Sequence, residues 1–289
     1  MLTDLAQVKA WLGITDVNLP RDAQLNLLIA GVCEQICRYC ARNFEKVDVA
    51  LKLILDQNNE IVLDETPVNH VYYFALGNSE VLLLTNTAAN AQASFRVDPG
   101  PAFGKLTLVS GMVAVDIAVP ITMTMAQLEV LINMEAGWAA SVATGYDDYP
   151  ANALLDQSAE TEEAGTPFAL RAALSTRRLI RGDVEGVFEI SGCSFDEYFD
   201  HYGSRDVRAP SAPMVCLYNG GYTVIPAGLL LVVNKVCCDA WLNFSSNAAM
   251  KSETIGDYSY EKWAGAGGAA YIASAIGPFM GALDIYKRV

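Results

Sequence analysis

Val215 to Glu261 reads VCLYNGGYTVIPAGLLLVVNKVCCDAWLNFSSNAAMKSETIGDYSYE, and the fold turns on how this stretch is parsed. The apolar run Val215 to Tyr218 has the make-up of a strand. Asn219-Gly220-Gly221 follows with residues that tolerate positive φ, so the chain can reverse there. Pro226 stands where a helix begins, at a position where a missing N–H costs nothing. Beyond it, Leu229, Val233, Val236, Cys237, Ala240, Trp241 and Phe244 recur at helical spacing and predict one broad buried face. Lys235, Asp239 and Asn243 fall off that face, and Ser245-Ser246-Asn247 reads as the helix end.

At the other end of the chain, Thr3 is positioned to cap a short helix with Leu5, Val8 and Trp11-Leu12 as its apolar positions and Gly13 as its stop. After a link from Ile14 to Pro20, a long helix is expected from about Asp22 to about Phe44. Leu25, Leu28-Ile29, Val32-Cys33, Ile36-Cys37 and Cys40 carry its period. The period then changes. Leu51 to Leu55, Ile61 to Leu63, Val71 to Leu76, Val81 to Thr85, Phe95 to Val97, Leu106 to Val109 and Met112 to Val119 are short runs rich in β-branched and large apolar residues, separated by turn residues. That spacing predicts an antiparallel sandwich or barrel. One helix interrupts it, opened by a capping box of Thr124 and Gln127 and ended by Gly137, and Trp138 to Thr144 reads as a strand.

The expected fold class is therefore α+β, with long helices near both ends of the chain and a large antiparallel β domain inserted between them. The boundaries read as 1–46 for the first helical part, 47–214 for the insert and 215–289 for the second helical part and tail. Within the insert, Gly145 to Thr166 gathers Asp147, Asp148, Asp156, Glu160, Glu162 and Glu163 among Gly, Pro, Ser and Thr and reads as a solvated loop. Ala169 to Leu174 reads as a short helix or a strand, and Val187 to Ile190 as a strand.

Three motifs resemble those of the head-tail connector (adaptor, or head-completion) proteins of long-tailed bacteriophages. They are Tyr218-Asn219-Gly220-Gly221-Tyr222, Ile225-Pro226 ahead of the long helix, and Lys251-Ser252-Glu253-Thr254-Ile255-Gly256-Asp257-Tyr258-Ser259. The short opening helix, acidic link and long second helix are similar to that family too, as is the ending Leu283-Asp284-Ile285-Tyr286-Lys287-Arg288. The resemblance implies a structural virion protein at the neck, made in the host cytoplasm. Such proteins form a ring, usually a dodecamer, beneath the portal, receive the next stopper or tail protein on the opposite rim, and let DNA pass without sequence-specific binding. It implies portal docking by Leu283, Ile285, Tyr286, Lys287 and Arg288. Contacts between subunits are assigned to Arg171, Arg177, Arg178, Arg181, Trp241 and Tyr258. The alternative function is a host-surface or carbohydrate-binding module built on the β insert, with Tyr72, Tyr73 and Phe74 exposed.

Composition agrees with a subunit of an assembly. Of 289 residues, 52% are apolar and only 18% charged, below the roughly 25% usual for globular domains, so disorder is excluded and the surface is poor in charge. The net charge of −14 argues against general affinity for nucleic acid, since phosphate binding needs clustered Lys and Arg. Seven cysteines do not suggest a complete disulfide framework, and the opening MLTDLAQVKAWLG is unlike a signal peptide, so reduced synthesis is expected.

Chemistry-bearing residues are sparse. Cys33, Cys37 and Cys40 share a helix face, yet three thiols on one straight helix cannot surround a zinc ion, and they coincide with the apolar stripe. They read as core, as does Cys237-Cys238. Asp196, Asp200 and His201 lie in an aromatic-rich segment that reads as a hairpin or interface, with His70 the one other histidine. The basic cluster around Arg177-Arg178 is either neutralised locally by Asp183 and Glu185 or directed at acids on a neighbouring copy. Trp263 to Gly268 lacks the Lys and Ser/Thr of a phosphate loop. Ala269 to Tyr286 is broken by Pro278 and Asp284 and reads as a small-residue helix packed on protein. With no Gly-x-Ser-x-Gly elbow, the expectation is no enzyme, no cofactor and no metal.

Overall fold

The computed structural model describes residues 2–55, 60–63, 65–97, 103–176, 178–181, 187–191, 212–247, 252–255, 258–261, 272 and 275–287. They form a mixed helix-and-sheet fold whose strand pairs are antiparallel, and the chain divides into two compact units. One is made of Met1–Lys46 with Gly221–Val289, the other of Val47–Gly220.

In the first unit, α1 (Leu5–Leu12) is capped by Asp4, whose carboxylate accepts the Gln7 N–H at 2.8 Å. Thr3, expected as the cap, is buried and donates its hydroxyl to Asn234, because a buried hydroxyl needs a partner. Gly13, at φ 67, closes the helix, and the Ile14 N–H returns to the Lys9 carbonyl at 2.9 Å. The second helix, α2 (Leu19–Cys40), starts ahead of Asp22 because Asn18 caps it and Pro20 fits its first turn. It stops before Phe44 because Ala41 takes φ 52, and the N–H groups of Ala41 and Arg42 return to Arg38 and Cys37.

The other long helix of this unit, here α4, is Ala227–Asn247. Leu25, Ile29, Val32, Cys33 and Ile36 of α2 meet Leu229, Val233, Val236, Cys237 and Ala240 of α4, with Val8 of α1 completing the core. Burying each large aliphatic side chain there stabilises the unit by about 1.5–3 kcal/mol. Among the described helices, α4 is the one long and apolar enough by composition to cross a membrane. Among the described residues neither end of the chain carries a long helix, contrary to the expected placement. The chain begins with the eight-residue α1 and closes on single turns: a 3-10 turn Gly277–Phe279, an α turn Met280–Leu283 and a 3-10 turn Asp284–Tyr286.

The second unit holds β1 (Val47–Leu55), β2 (Glu60–Val62), β3 (Val68–Leu76), β4 (Ser79–Asn86), β5 (Ala91–Val97), β6 (Gly104–Ser110) and β7 (Val113–Val119). After α3 (Met125–Asn133) come β8 (Trp138–Val142), β9 (Gln157–Thr161), β10 (Phe168–Ala172), β11 (Ser175–Thr176), β12 (Arg178–Arg181), β13 (Val187–Ser191) and β14 (Ala212–Gly220). Their sheets run β7-β6-β5-β9, β10-β4-β8, β1-β14-β3-β11 and β12-β13-β2. The first two sheets and α3 share a core around Phe95, Leu106, Leu108, Leu82, Leu84, Leu128 and Ile132. A second core lies around Leu51, Phe74, Met214, Cys216 and Tyr218, with Ile61 and Leu63 against it.

Two expectations are corrected here. The run Val215 to Tyr218 belongs to the inserted unit, because β14 lies between β1 and β3 and both its faces are buried, so the unit ends at Gly220 rather than at residue 214. The acidic segment 145–166 is not all loop. Ala151, Ala153 and Leu154 are buried in a 3-10 turn and just after it, Asn152 donates to the Val119 carbonyl at 2.9 Å, and β9 pairs with β5. Small apolar residues and a period-two run outweighed the acid count.

Candidate functional site

Tyr218-Asn219-Gly220-Gly221-Tyr222 is tightly built. The Tyr218 hydroxyl accepts the Glu65 N–H at 2.9 Å, and the Asn219 amide donates to Asp48 while accepting from Asn69 at 3.1 Å. A Cβ at Gly220 would collide with the Glu65 carbonyl, and one at Gly221, φ +92, with the Glu45 carbonyl. These two glycines are required by close backbone approach. In the helical unit the Tyr222 N–H donates to the Phe44 carbonyl at 2.8 Å. The Phe44 and Tyr222 rings stack at 6.4 Å, with the Arg42 guanidinium 5.3 and 5.4 Å from the two ring centres.

The C-terminal segment is folded onto its own unit. Leu283 is fully buried and its carbonyl accepts from the Cys40 thiol at 3.8 Å, so within the chain it anchors the segment to the helical core. Tyr286 is half-buried, edge-on to Phe44 at 6.2 Å, and its hydroxyl oxygen lies 3.0 Å from where a Cβ on Gly228 would stand. Asp284 accepts the Tyr39 hydroxyl at 2.7 Å and pairs with Lys287 at 2.8 Å, while the Lys287 ammonium sits 4.1 Å over the Tyr39 ring. Hydrogen bonds from Lys287 and then Tyr39 hold the Asp284 carboxyl below its usual value, and the same pairing raises Lys287. Ile285, at 78% exposed, and Lys287 are the exposed members of the expected docking set, and Arg288 lies outside the described residues.

Of the residues expected between subunits, the side chains of Arg171 and Trp241 are described. Arg171 pairs with Glu80 across β10 and β4 at 2.9 Å, so a cross-strand acid neutralises it; Asp183 and Glu185 lie outside the described residues. Arg178 and Arg181 are in β12 and Tyr258 is in the hairpin Ser252–Ile255 with Tyr258–Glu261; their side chains, like Arg177, lie outside the described set. Trp241 is half-buried against the helical core, 5.9 Å from the Phe244 ring. Of the expected exposed aromatics, Tyr72 is exposed and donates to Asp48 at 2.8 Å. Tyr73 donates to the Ala173 carbonyl at 2.6 Å and Phe74 is core, while Tyr72 falls at the register shift between β3 and β14, where no residue stands opposite it.

The thiols behave as packing groups. Cys33, Cys40 and Cys237 are buried, and burial pushes Cys33 up and Cys40 up to about 11, away from the thiolate a metal would need. Among the described residues no group of three or more His, Cys, Asp or Glu is placed to hold a metal ion. His201 and its neighbouring acids lie outside them.

What the helical unit leaves open is apolar. Trp11 (48%), Leu27 (76%) and Leu231 (55%) stand in solvent. A cleft of about 330 Å³ between α1 and α4 is lined by Gln7, Ala10, Trp11, Ala227, Leu230, Leu231 and Asn234. Sequence patterning marks none of this, since Leu27 and Leu231 fall off the stripes that define the two long helices. Compared with known proteins, the chain matches no family model and no curated protein.

Proposed function

We propose that this chain is a structural virion protein, a head-tail connector that forms a ring under the portal and links the capsid to the next neck or tail protein. The observation that carries the reading is the helical unit itself: two long helices drawn from separate parts of the chain share one core, yet leave Trp11, Leu27, Leu231 and Ile285 exposed. Exposed apolar groups of this size on a charge-poor chain suit a subunit whose neighbours cover them. The motifs from Tyr218 to Tyr222, Ile225-Pro226, Lys251 to Ser259 and Leu283 to Arg288 support the same reading by resemblance.

On this reading Ile285, with Tyr286, Lys287 and Arg288, meets the portal, and Leu283 holds that segment in place. Each contact is modest, and a ring multiplies it through effective concentration. DNA crosses the lumen without base recognition, in keeping with the net charge of −14. The test is electron microscopy of the purified chain mixed with portal rings. Added density as a ring on one portal face is expected; a chain that stays a separate particle beside the portal, or that turns over a substrate, overturns the reading.

A further inference from the structure

The two long helices turn opposite flanks of the helical unit to solvent. They run antiparallel: Phe44, just past the end of α2, accepts the N–H of Tyr222, just ahead of α4, and Cys33 lies beside Cys237, whose thiol burial and then Cys33 push up. Leu25, Ile29, Val32 and Ile36 face Leu229, Val233, Val236 and Ala240 in the core, so the far sides of the two helices point away from one another. On α2 that outer row is Leu27, Glu34 and Arg38; on α4 it is Leu242, Lys235 and Leu231. Going up α2 the intervals are seven residues and then four, and going down α4 they are the same. The rows also stand at the same height to within one residue, because Cys33 precedes Glu34 by one and Cys237 follows Lys235 by two.

A rotation about an axis along the helices keeps every residue at its height, so it brings the two rows together in register: Leu27 against Leu242, Glu34 against Lys235 and Arg38 against Leu231. The chemistry matches at each step. Leu27 and Leu242, the latter 56% exposed, cover one another's apolar surface. Glu34 keeps its 2.6 Å pair with Arg38 and Lys235 its 2.9 Å pair with Asp239, and a Glu34–Lys235 contact joins them into a row of four charges of alternating sign. Alone, such exposed pairs contribute little. Arg38 arrives at the wall of the cleft of about 330 Å³ between α1 and α4, where its stem covers Leu231 and its guanidinium reaches the face of Trp11. We infer that α2 of one copy packs antiparallel onto α4 of the next through these three pairs. Each copy then stands the same way up as its neighbour, and the two surfaces differ, so the contact is head-to-tail and generates a ring when the rotation closes.

This contact deepens the connector reading and rests on it for the ring, and its test tells the two apart. Leu27→Cys, Leu242→Cys and the chain carrying both are oxidised mildly and run on non-reducing gels, with the wild type as the control for native thiols. Neither single variant links to itself. Their equal mixture gives a dimer and nothing larger, and the doubly substituted chain gives a ladder of multimers. In that doubly substituted chain, Glu34→Lys or Lys235→Glu alone reduces capture about tenfold, and the two together restore it. Circular dichroism of every variant stays like the wild type, because the substituted side chains are exposed. A mixture that links no better than the single variants overturns the inference. So does Leu27→Cys linking to itself, which requires an inverted neighbour, or a pair of reversals no better than either alone. Electron microscopy with portal rings reads the other claim. A ladder from a chain that never joins the portal keeps the contact and sinks the connector reading; a chain that rings the portal without the mixed link does the reverse.

Discussion

Lys52 shows how far a single side chain can depart from what its sequence neighbours suggest. It lies in β1, in a run read simply as strand, yet its side chain is 9% exposed, with the ammonium 4.2 Å over the Phe95 ring and 2.9 Å from Asp156. Desolvation outweighs the Asp156 carboxylate and pushes its pKa down to about 8, against 10.5 for the free group. Between those values the unfolded chain binds the extra proton, so the Lys52 contribution to stability is lowest below pH 8 and rises as pH climbs to 10.5. The whole change is about 3 kcal/mol at most. Urea unfolding of wild type and Lys52→Met across that window checks it: the wild type gains on the variant as pH rises, and a constant gap between them contradicts a desolvated ammonium. The pairing was not legible beforehand, since Asp156 sits in a segment whose acids all looked solvated. Cys33 and Cys40, by contrast, were readable as core because they repeat the helical period of Leu25, Ile29 and Ile36.

At the scale of elements, periodicity located the strands and long helices, while tertiary partners set their ends. α2 starts where Asn18 caps it, a start signal earlier than Asp22, and stops where Ala41 turns left-handed, a residue type with no stop signal of its own. The C-terminal segment reads as a small-residue helix packed on protein, and its described end is a run of single turns held partly by Tyr39, the partner of Asp284, which is far away in sequence and leaves no local trace. Leu283 is fully buried among α2, α4 and the turn that carries it, so this tail is part of the helical core. Leu283→Ala is expected to destabilise the helical unit by about 2–5 kcal/mol, the range for a buried leucine whose cavity does not collapse. Ile285→Ala, at an exposed site, should change stability by no more than about 0.5 kcal/mol. Denaturant midpoints of the two variants decide it, and similar midpoints would show that the tail is not packed.

At the scale of the whole molecule, one unit interrupts the other, and the sequence shows this as a change of period from helical to alternating after Phe44 and back again after Gly221. The exit point was misjudged because β14 is apolar on both faces and leads straight into the helix that follows. Yet its register with β1, Val47 opposite Gly220, makes the two crossings neighbours on the inserted unit. In the helical unit Glu45 bridges Tyr222, so the cut ends there are neighbours as well. Every buried residue of the helical core, from Leu2 to Phe44 and from Leu229 to Leu283, lies outside the insert. A chain joining Lys46 to Gly221 through a short Gly-Ser link is therefore expected to fold, since it keeps that core and closes a shorter loop. It should show helical circular dichroism and one cooperative thermal transition. A linked chain that is unfolded would mean that the helical core needs the insert to form.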